Sequence, residues 1–337
     1  MVSAPLSDTV ITPALAIYTM SNQSESLGDD TDSILSSSSS EDEDSLNIRV
    51  SPDWERYRGL FEDRGFHLDT VGDVKRFYEA YWERCAPGVD HQSAGYSRAC
   101  GFRDEKALCK DPGLRDNFFR GRRKKDHAPI IVKAVHLRSR ELDITRLLSS
   151  PPLRIDPRNH CIPVLDFIEA RGDGIAFIVM EEWSPELIPE KPCCLGLFLR
   201  AIRSTIEHVA FMHLHRVAHL DISIRNLVTD YKGHYACIDY ELSRRFDGTL
   251  NPKVQAGRAT ELPPELERGE LSDPFKVDIW ALGILILKAS YMTGYLKDQL
   301  IHFVKPMLCE DQEERPCALD TLMAFDNMVS MMKIASC

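Results

Sequence analysis

The chain has 337 residues, of which 43% are hydrophobic, and a formal net charge of -11. This length and composition are typical of a globular protein with a large core and two lobes or domains. Nine acidic residues lie within residues 1–45, which contain no lysine or arginine, so the other 43 acidic residues nearly balance the 41 basic ones. The acidity therefore belongs to one segment, and we expect no nucleic-acid partner.

The ten cysteines form no Cys-x-x-Cys pair, which argues against a zinc site or a disulfide framework. The first residues lack a basic stretch followed by a long apolar run, so no signal peptide is predicted. The most apolar stretch, IWALGILIL at residues 279–287, is too short to span a bilayer and is predicted to be a buried helix. We therefore expect reduced thiols in a cytoplasmic or nuclear protein that has no membrane partner.

Residues 1–48 are predicted to be a disordered tail. They are rich in serine and acidic residues, as in SSSSSEDEDS, and bury too little apolar surface to offset the entropy lost on ordering. Residues 49–120 are predicted to be a helical extension with two amphipathic helices, because aromatic residues recur there at helical spacing. These aromatic residues are Trp54, Tyr57 and Phe61 in the first helix and Phe77, Tyr78, Tyr81 and Trp82 in the second.

Residues 121–183 are predicted to form a small β-rich lobe. Its strands are APIIVKAV, CIPVLDFIEA and IAFIVMEEW, and the turn RGDG joins the last two. Between the first two strands, Glu141, Ile144 and Leu148 recur at helical spacing. Residues 184–330 are mainly helical in pattern, so the sequence predicts an α+β protein whose second lobe is larger and α-rich.

Three oxygen-bearing side chains interrupt apolar stretches in the second lobe. Asp221 and Asn226 lie five residues apart in HLDISIRNLV, and Asp239 follows a short strand-like run in ACIDYELSRRF. Carboxylates in such surroundings are costly unless they have partners. They are therefore either capped within turns or part of a functional site.

Seven motifs between about residues 128 and 320 resemble those of eukaryotic protein kinases in kind and in order. Some sequence segments, such as DPFKVDIWALG, are similar to those of protein-kinase-like proteins of basidiomycete fungi. In chain order the motifs are the lysine strand IIVKAV, its helical partner Glu141, the catalytic loop HLDISIRN, the D-F-G-like DYE, the A-P-E-like PPE, the helix start DIWALG, and Arg315-Pro316.

The resemblance implies a two-lobed protein-kinase-like fold and ATP- and Mg²⁺-dependent phosphoryl transfer to a protein hydroxyl. Asp221 would accept the proton of the attacking hydroxyl, and Asn226 and Asp239 would hold Mg²⁺. Lys133, held by Glu141, would contact the α- and β-phosphates. Without the resemblance, solvent-exposed positions would be the better interpretation of Lys133 and Glu141.

The resemblance also implies that the backbone of the hinge, at Glu181 and Trp183, hydrogen-bonds adenine, in a register fixed to within one residue. The substrate class stays open. Ser223 stands where serine/threonine kinases usually carry a lysine, whereas Arg225 is similar to the tyrosine-kinase version. Serine or threonine on a protein substrate is the default expectation.

Three positions depart from the kinase pattern. Leu220 replaces the arginine before the catalytic aspartate, which removes a phosphate contact of the activation loop without touching Asp221. Glu241 replaces the D-F-G glycine and would either repel nucleotide or help to ligate Mg²⁺. No Gly-x-Gly-x-x-Gly precedes Lys133, so some backbone cover over the phosphates is missing. The alternative function is therefore a pseudokinase, a binding or scaffold module with weak or no nucleotide binding.

Four further contacts are predicted. Lys133 and Glu141 should form an ion pair, with charged groups about 4 Å apart or less. Glu265 and Arg315 should form an internal ion pair. Asp278 should cap a helix and brace the catalytic-loop backbone. The ring of Tyr240 should fill the pocket of the D-F-G phenylalanine.

Overall fold

The computed structural model describes residues 47, 50–84, 94–184, 195–255 and 257–332. The elements up to residue 184 are α1 (Trp54–Asp63), β1 (Phe66–Leu68), α2 (Val71–Arg84), α3 (Ala94–Cys100), β2 (Phe118–Arg123), β3 (Pro129–His136), α4 (Arg140–Ser149), β4 (Val164–Ala170) and β5 (Ile175–Glu181). Those after it are α5 (Leu195–Leu214), β6 (Val217–Ala218), β7 (Leu227–Thr229), β8 (Tyr235–Cys237), β9 (Arg244–Arg245), α6 (Pro264–Glu267), α7 (Pro274–Thr293), α8 (Lys297–Val304) and α9 (Ala318–Met331).

The first half is built on an antiparallel five-stranded sheet in the order β1-β2-β3-β5-β4. Side chains alternate between its two faces along each strand. Ile130 and Val132 of β3 pack into a core with the aromatic residues of α1, whereas Val135 packs with Leu142 of α4 on the other face. Lys133, one residue from Val132 in the pleat, is thereby turned towards α4.

The two predicted aromatic helices are present as α1 and α2. The α1 rings cover one face of the sheet: Trp54 lies 5.1 Å from Phe119 and Phe61 lies 5.0 Å from Phe177, measured between ring centroids. Such tilted and edge-on contacts are the arrangements that aromatic rings prefer. The packing role predicted for Trp54, Tyr57 and Phe61 is confirmed, since all three are buried.

The region predicted as a helical extension also contains strand β1 and the first residues of β2. These two strands pair directly, yet residues 69–117, with α2 and α3, connect them. Gly121 of β2 lies so close to β1 that a Cβ there would overlap the His67 carbonyl oxygen. A three-residue strand is too short for alternation to be visible, which is why the sequence did not predict β1.

The second half is mostly helical. Helix α7 begins at Pro274 with Asp273 as its N-cap, whose carboxylate accepts the Phe275 N–H at 2.8 Å, and ends at Gly294, whose φ is 76°. Together with α5, α8 and α9 it encloses an apolar core. The predicted α+β content is confirmed, and the two-lobed arrangement stays a prediction.

The predicted buried helix at residues 279–287 is part of α7 and contributes Leu282, Leu285 and Ile286 to this core. Within the described ranges, no helix has the length and apolar character needed to cross a membrane. The six cysteines that are described are all free thiols. The predicted disorder of residues 1–48 lies outside the described residues, except at Asn47.

Candidate active site

Three of the predicted site residues meet at Lys133. Its Nζ lies 2.5 Å from Oε1 of Glu141 and 2.8 Å from Oδ1 of Asp239. Lys133 comes from β3, Glu141 from the first turn of α4, and Asp239 from the loop after β8. The predicted Lys133–Glu141 ion pair is therefore present. Both side chains are buried, so the solvent-exposed positions expected without the resemblance are wrong.

The strand register and a helix cap place this pair. Lys133 lies opposite Ile178 of β5 and Phe118 of β2, and its Nζ is 5.4 Å from the Phe118 ring centroid. Helix α4 begins after Ser139, whose hydroxyl accepts the Leu142 N–H at 3.3 Å. An acidic residue in a first helical turn is favoured by the helix dipole, so Glu141 suits its position.

The second oxygen of the Glu141 carboxylate has its own donor. The Nδ2 group of Asn47 donates to Glu141 Oε2 at 3.0 Å, and the Asn47 side-chain oxygen accepts the His136 N–H at 2.9 Å. Asn47 is buried, although the sequence placed it in a disordered tail. A residue far from the kinase-like motifs thus takes part in the site.

Burial and neighbouring charge set the protonation of the site. Burial opposes the charge of Lys133, but Asp239 and Glu141 outweigh it and raise the pKa of the ammonium group. Burial likewise opposes ionisation of Asp239, and Lys133 outweighs it, so the pKa of Asp239 is lowered. Burial raises the pKa of Glu141 to about 7 against the attraction of Lys133. At neutral pH Lys133 is therefore protonated and Asp239 is ionised, whereas Glu141 changes its protonation state near pH 7.

Asp221 and Asn226 form a second group. Asn226 Nδ2 donates to the Asp221 carbonyl oxygen at 2.8 Å and to Asp221 Oδ2 at 3.0 Å. The backbone N–H of Thr260 donates to the other carboxylate oxygen, Oδ1, at 2.8 Å. Because its amide nitrogen is held by Asp221, Asn226 can offer a metal only its side-chain oxygen.

Asp278 fixes the backbone just before Asp221. Its carboxylate accepts the N–H groups of His219 and Leu220, both at 2.7 Å, and contacts His213 Nε2 at 2.9 Å. The predicted bracing role is confirmed. The predicted cap is wrong, because Asp278 lies inside α7 and the N-cap is Asp273, five residues earlier.

Tyr240 fills a pocket under α4, as predicted, packed with Ile144 and Leu148 and buried from solvent. Its hydroxyl donates to the Cys237 carbonyl oxygen at 3.2 Å and lies 3.1 Å from His208 Nε2. The extra hydroxyl, compared with phenylalanine, is thereby satisfied inside the core.

Glu241 lies beside the Lys133 group. A carboxylate oxygen from each of Glu141, Asp239 and Glu241 falls within 4.8 Å of the others, a set that could hold a metal ion. Arg258 Nη2 is 3.5 Å from Glu241 Oε1. Burial raises the pKa of Glu241, although Lys133 opposes the shift. The residue that replaces the D-F-G glycine thus brings a further carboxylate oxygen next to Asp239.

Leu220 occupies an apolar cluster in place of a charged contact. Its backbone has a φ of 62°, in the left-handed region. The cluster that surrounds it consists of Phe246, Val254, Leu262, Leu266 and Val277. Val254 and Leu262 belong to the segment between Asp239 and α6, so apolar packing holds this segment next to Asp221.

The hinge residues follow β5. Glu181 ends the strand and its Oε2 accepts Trp183 Nε1–H at 3.1 Å, while Glu182 receives Arg120 Nε–H at 2.5 Å. Met180, before them, is buried in the core on the Lys133 face of the sheet. Glu181 thus lies at a strand end, and the role of these residues as a hinge that contacts adenine stays a prediction.

Several site contacts carry no sequence signal. Asn47 stands next to a low-complexity run, and the Thr260 contact uses a backbone N–H that any residue but proline has. Arg258 pairs with Glu241 across a loop, where no periodicity fixes a partner. The one usable signal was Glu241 itself, since a carboxylate next to a predicted metal ligand must be neutralised.

Comparison with known proteins finds a match within the second half of the chain. The family model of the protein kinase domain matches residues 196–297. This range contains Asp221, Asn226 and Asp239 but neither Lys133 nor Glu141, and it is less than a third of the chain.

Individual relatives are also kinases. A putative sperm motility kinase W of Mus musculus is 31% identical over 96 residues, 28% of this chain and 19% of that protein. Myosin light chain kinase 2, skeletal/cardiac muscle, of Oryctolagus cuniculus is 32% identical over 116 residues, 34% of this chain and 17% of that protein. A putative serine/threonine-protein kinase of Saccharomyces cerevisiae is 28% identical over 88 residues, 26% of this chain and 10% of that protein.

The chain therefore matches a fifth or less of the length of these curated relatives. These matches show that residues 196–297 are similar to the protein kinase domain, and the mixed helix and sheet content fits an α+β kinase fold.

Proposed function

We propose that this chain is an ATP- and Mg²⁺-dependent protein kinase with a two-lobed fold, which phosphorylates serine or threonine hydroxyls of a protein substrate. The observation that carries the proposal is the contact of Lys133 with both Glu141 and Asp239, at 2.5 and 2.8 Å. Strand, helix and loop must all be correctly placed for these three residues to meet, so the contact is specific evidence for a phosphate-binding arrangement.

Different residues would contact different parts of the nucleotide. Lys133 would contact the α- and β-phosphates, and Glu141 would hold its ammonium group in place when Asp239 turns to the metal. The backbone of Glu181 and Trp183 would hydrogen-bond the adenine ring. Since phosphoryl transfer depends mainly on positioning and charge neutralisation, these contacts supply much of what the reaction needs.

Asp221 would act as the base. The substrate oxygen attacks the γ-phosphorus, its proton passes to the Asp221 carboxylate, and the bond from the γ-phosphorus to the bridging oxygen of ADP breaks. Asn226 and the Thr260 N–H hold the Asp221 carboxylate in a fixed orientation. Asp278 holds the backbone of the same loop, because its carboxylate accepts hydrogen bonds from the N–H groups of His219 and Leu220.

The donor set fits magnesium. Asp239 is ionised and partly exposed, and Glu241 lies beside it with a second hard oxygen. Asn226, in the group around Asp221, would supply its side-chain oxygen. Mg²⁺ held by these residues would neutralise phosphate charge. The role of Arg258 is to balance the charge of Glu241, so that this carboxylate does not simply repel the nucleotide.

Calorimetry on two variants tests the assignment. Asp239→Asn should abolish Mg²⁺-dependent nucleotide binding, because it removes the charge that holds the metal. Asp221→Asn should bind Mg·ATP within about twofold of wild type, because a base acts mainly in the transition state. Equal loss in both variants would mean that the roles are wrongly divided.

A second candidate function is a binding module with weak or no nucleotide binding. One observation favours it: β1 and β2 are joined by residues 69–117 rather than by a short glycine turn that would cover the phosphates.

The Glu241→Gln variant tests whether Glu241 ligates Mg²⁺ or repels nucleotide. If Glu241 ligates Mg²⁺, the Mg²⁺ concentration for half-maximal binding should rise about tenfold, or ~1.4 kcal/mol. Tighter Mg·ATP binding by the variant would instead mean that Glu241 repels nucleotide.

The remaining expectations extend this proposal. A protein substrate is expected from the kinase matches. A cytoplasmic or nuclear location, and the similarity to basidiomycete proteins, stay predictions from the sequence.

A further inference from the structure

Asn47 makes three hydrogen bonds from a position that the kinase-like motifs do not include. Its Nδ2 donates to Glu141 Oε2 at 3.0 Å, its Oδ1 accepts the His136 N–H at 2.9 Å, and its carbonyl oxygen accepts the Val50 N–H at 3.1 Å. Only 4% of Asn47 is exposed. The residue is thus anchored by both its side chain and its backbone.

These contacts complete the surroundings of Glu141. A buried carboxylate is costly when an oxygen lacks a donor. Lys133 donates a hydrogen bond to Oε1 and Asn47 donates one to Oε2, so the two donors together fix the orientation of the carboxylate. An amide suits this place because it combines a donor with an acceptor, whereas an aspartate at neutral pH could only accept.

Asn47 also joins two elements. Through His136 it holds the end of β3, the strand that carries Lys133, and through Glu141 it holds the first turn of α4. The distance between β3 and α4 decides whether Lys133 and Glu141 can meet. A single side chain just before α1 therefore bears on the geometry of the ion pair.

We propose that Asn47 is a positioning residue for the Lys133–Glu141 pair, and that it places this pair under the control of the segment preceding α1. The proposal rests on the proposed function, because the pair matters for catalysis only if it serves nucleotide. Withdrawal of Asn47 from these contacts would weaken nucleotide binding without removing a nucleotide contact.

The first test measures nucleotide affinity in the full chain. Asn47→Asp keeps an acceptor for His136 but loses the donor and sets a second carboxylate against Glu141. We expect at least a tenfold loss of Mg·ATP affinity by calorimetry at pH 8. The matched control is Asn159→Ala, which does not touch Glu141 and loses three hydrogen bonds near the end of α4: two donated to the Leu148 and Leu153 carbonyl oxygens and one accepted from the Cys161 N–H. Affinity within twofold of wild type in Asn47→Asp, or an equal loss in the control, would overturn the proposal.

The second test needs no nucleotide. Asn47→Asp should lower Tm at pH 8, and adding Glu141→Gln should restore several degrees of it, because the Gln amide can then donate to the Asp carboxylate. A double variant no more stable than Asn47→Asp would show that Asn47 does not hold residue 141.

The two tests distinguish a failure of the Asn47 inference from a failure of the proposed function. If wild type binds Mg·ATP and Asn47→Asp binds it equally well, the inference fails and the proposed function stands. If wild type binds no Mg·ATP, the proposed function fails, and the Tm rescue alone decides whether Asn47 positions Glu141.

Discussion

At the scale of single residues, Glu141 sets the pH range in which Lys133 is firmly held. Burial raises the pKa of Glu141 to about 7, so its charge is present above that pH and is lost as pH falls through it. Lys133 stays protonated throughout this range, because Asp239 and Glu141 raise its pKa. The strength of the pair therefore changes through the glutamate alone.

We predict that Mg·ATP affinity falls about tenfold between pH 8 and pH 6, since protonated Glu141 no longer attracts Lys133, and a shift of one pKa unit is worth about 1.4 kcal/mol. Glu141→Gln mimics the protonated form. It should bind weakly at pH 8 and match wild type near pH 6, which also corrects for protonation of ATP itself. Parallel pH profiles of the two proteins, measured by calorimetry, would refute the assignment.

At the scale of elements, the segment between Asp239 and α6 is held by apolar packing. Leu220 lies with Phe246, Val254 and Leu262 where many kinases have an arginine that grips a phosphate. Ser243, the first serine or threonine in this segment, is buried and donates to the His219 carbonyl oxygen at 2.9 Å, so it is closed to modification. The segment has no need of a phosphate to be ordered near Asp221.

We therefore predict that phosphatase treatment, or Thr249→Ala and Thr260→Ala, changes phosphate-transfer activity by less than twofold. Thr260→Ala is a fair test because it keeps the backbone N–H that contacts Asp221. Leu220→Arg should lower stability by about 1–3 kcal/mol, because it sets a charge among apolar side chains. A large loss of activity on dephosphorylation would contradict the apolar mechanism.

The tail is a second case at this scale. Residues 1–45 are predicted to add nothing to the folded protein, because they lack apolar residues in periodic order, whereas Asn47 is buried two residues further on. Deletion of residues 1–45 should leave Tm within about 2 °C of the full chain by differential scanning calorimetry. A large drop would mean that the tail packs against the folded part.

What the sequence predicted at this scale depended on repetition or on fixed spacing. The strand of Lys133 and the helix of Glu141 were predicted because both are long enough to show their periods. The pairing of these two residues, and the site roles of Asp221, Asn226 and Asp239, came from the resemblance to protein kinases. Strand β1 has three residues, and the β1–β2 connection of residues 69–117 has no pattern that announces a pairing across it. The cap of α7 was misplaced because Asp273 and Asp278 are both credible N-caps by residue type.

At the scale of the whole molecule, one buried ion pair ties distant parts of the helical half together. Arg315 donates to both carboxylate oxygens of Glu265, each at 2.7 Å, and to the Cys309 carbonyl oxygen at 2.9 Å. The predicted pair is confirmed. Ser272 also donates to Glu265, at 2.7 Å, so the charges are enclosed by hydrogen bonds as well as by each other.

We predict that Arg315→Ala lowers the free energy of unfolding by about 3–5 kcal/mol, because it leaves the Glu265 carboxylate buried without its partner. Urea denaturation measures this. The exposed pair Arg268–Glu270 is the control, since solvent screens its charges and Arg268→Ala should change the free energy of unfolding far less than Arg315→Ala. Similar losses in both variants would mean that Arg315 acts through general packing rather than through its charge.

The central claim is that the site transfers phosphate. The most direct measurement follows labelled γ-phosphate from Mg·ATP to a mixed library of serine- and threonine-containing peptides, with wild type and Asp221→Asn compared at equal nucleotide occupancy. We predict transfer by wild type and a rate at least about 100-fold lower in the variant, as expected on removal of a general base. Folded wild type that binds Mg·ATP yet transfers no more phosphate than Asp221→Asn would contradict the claim and leave the binding module as the function.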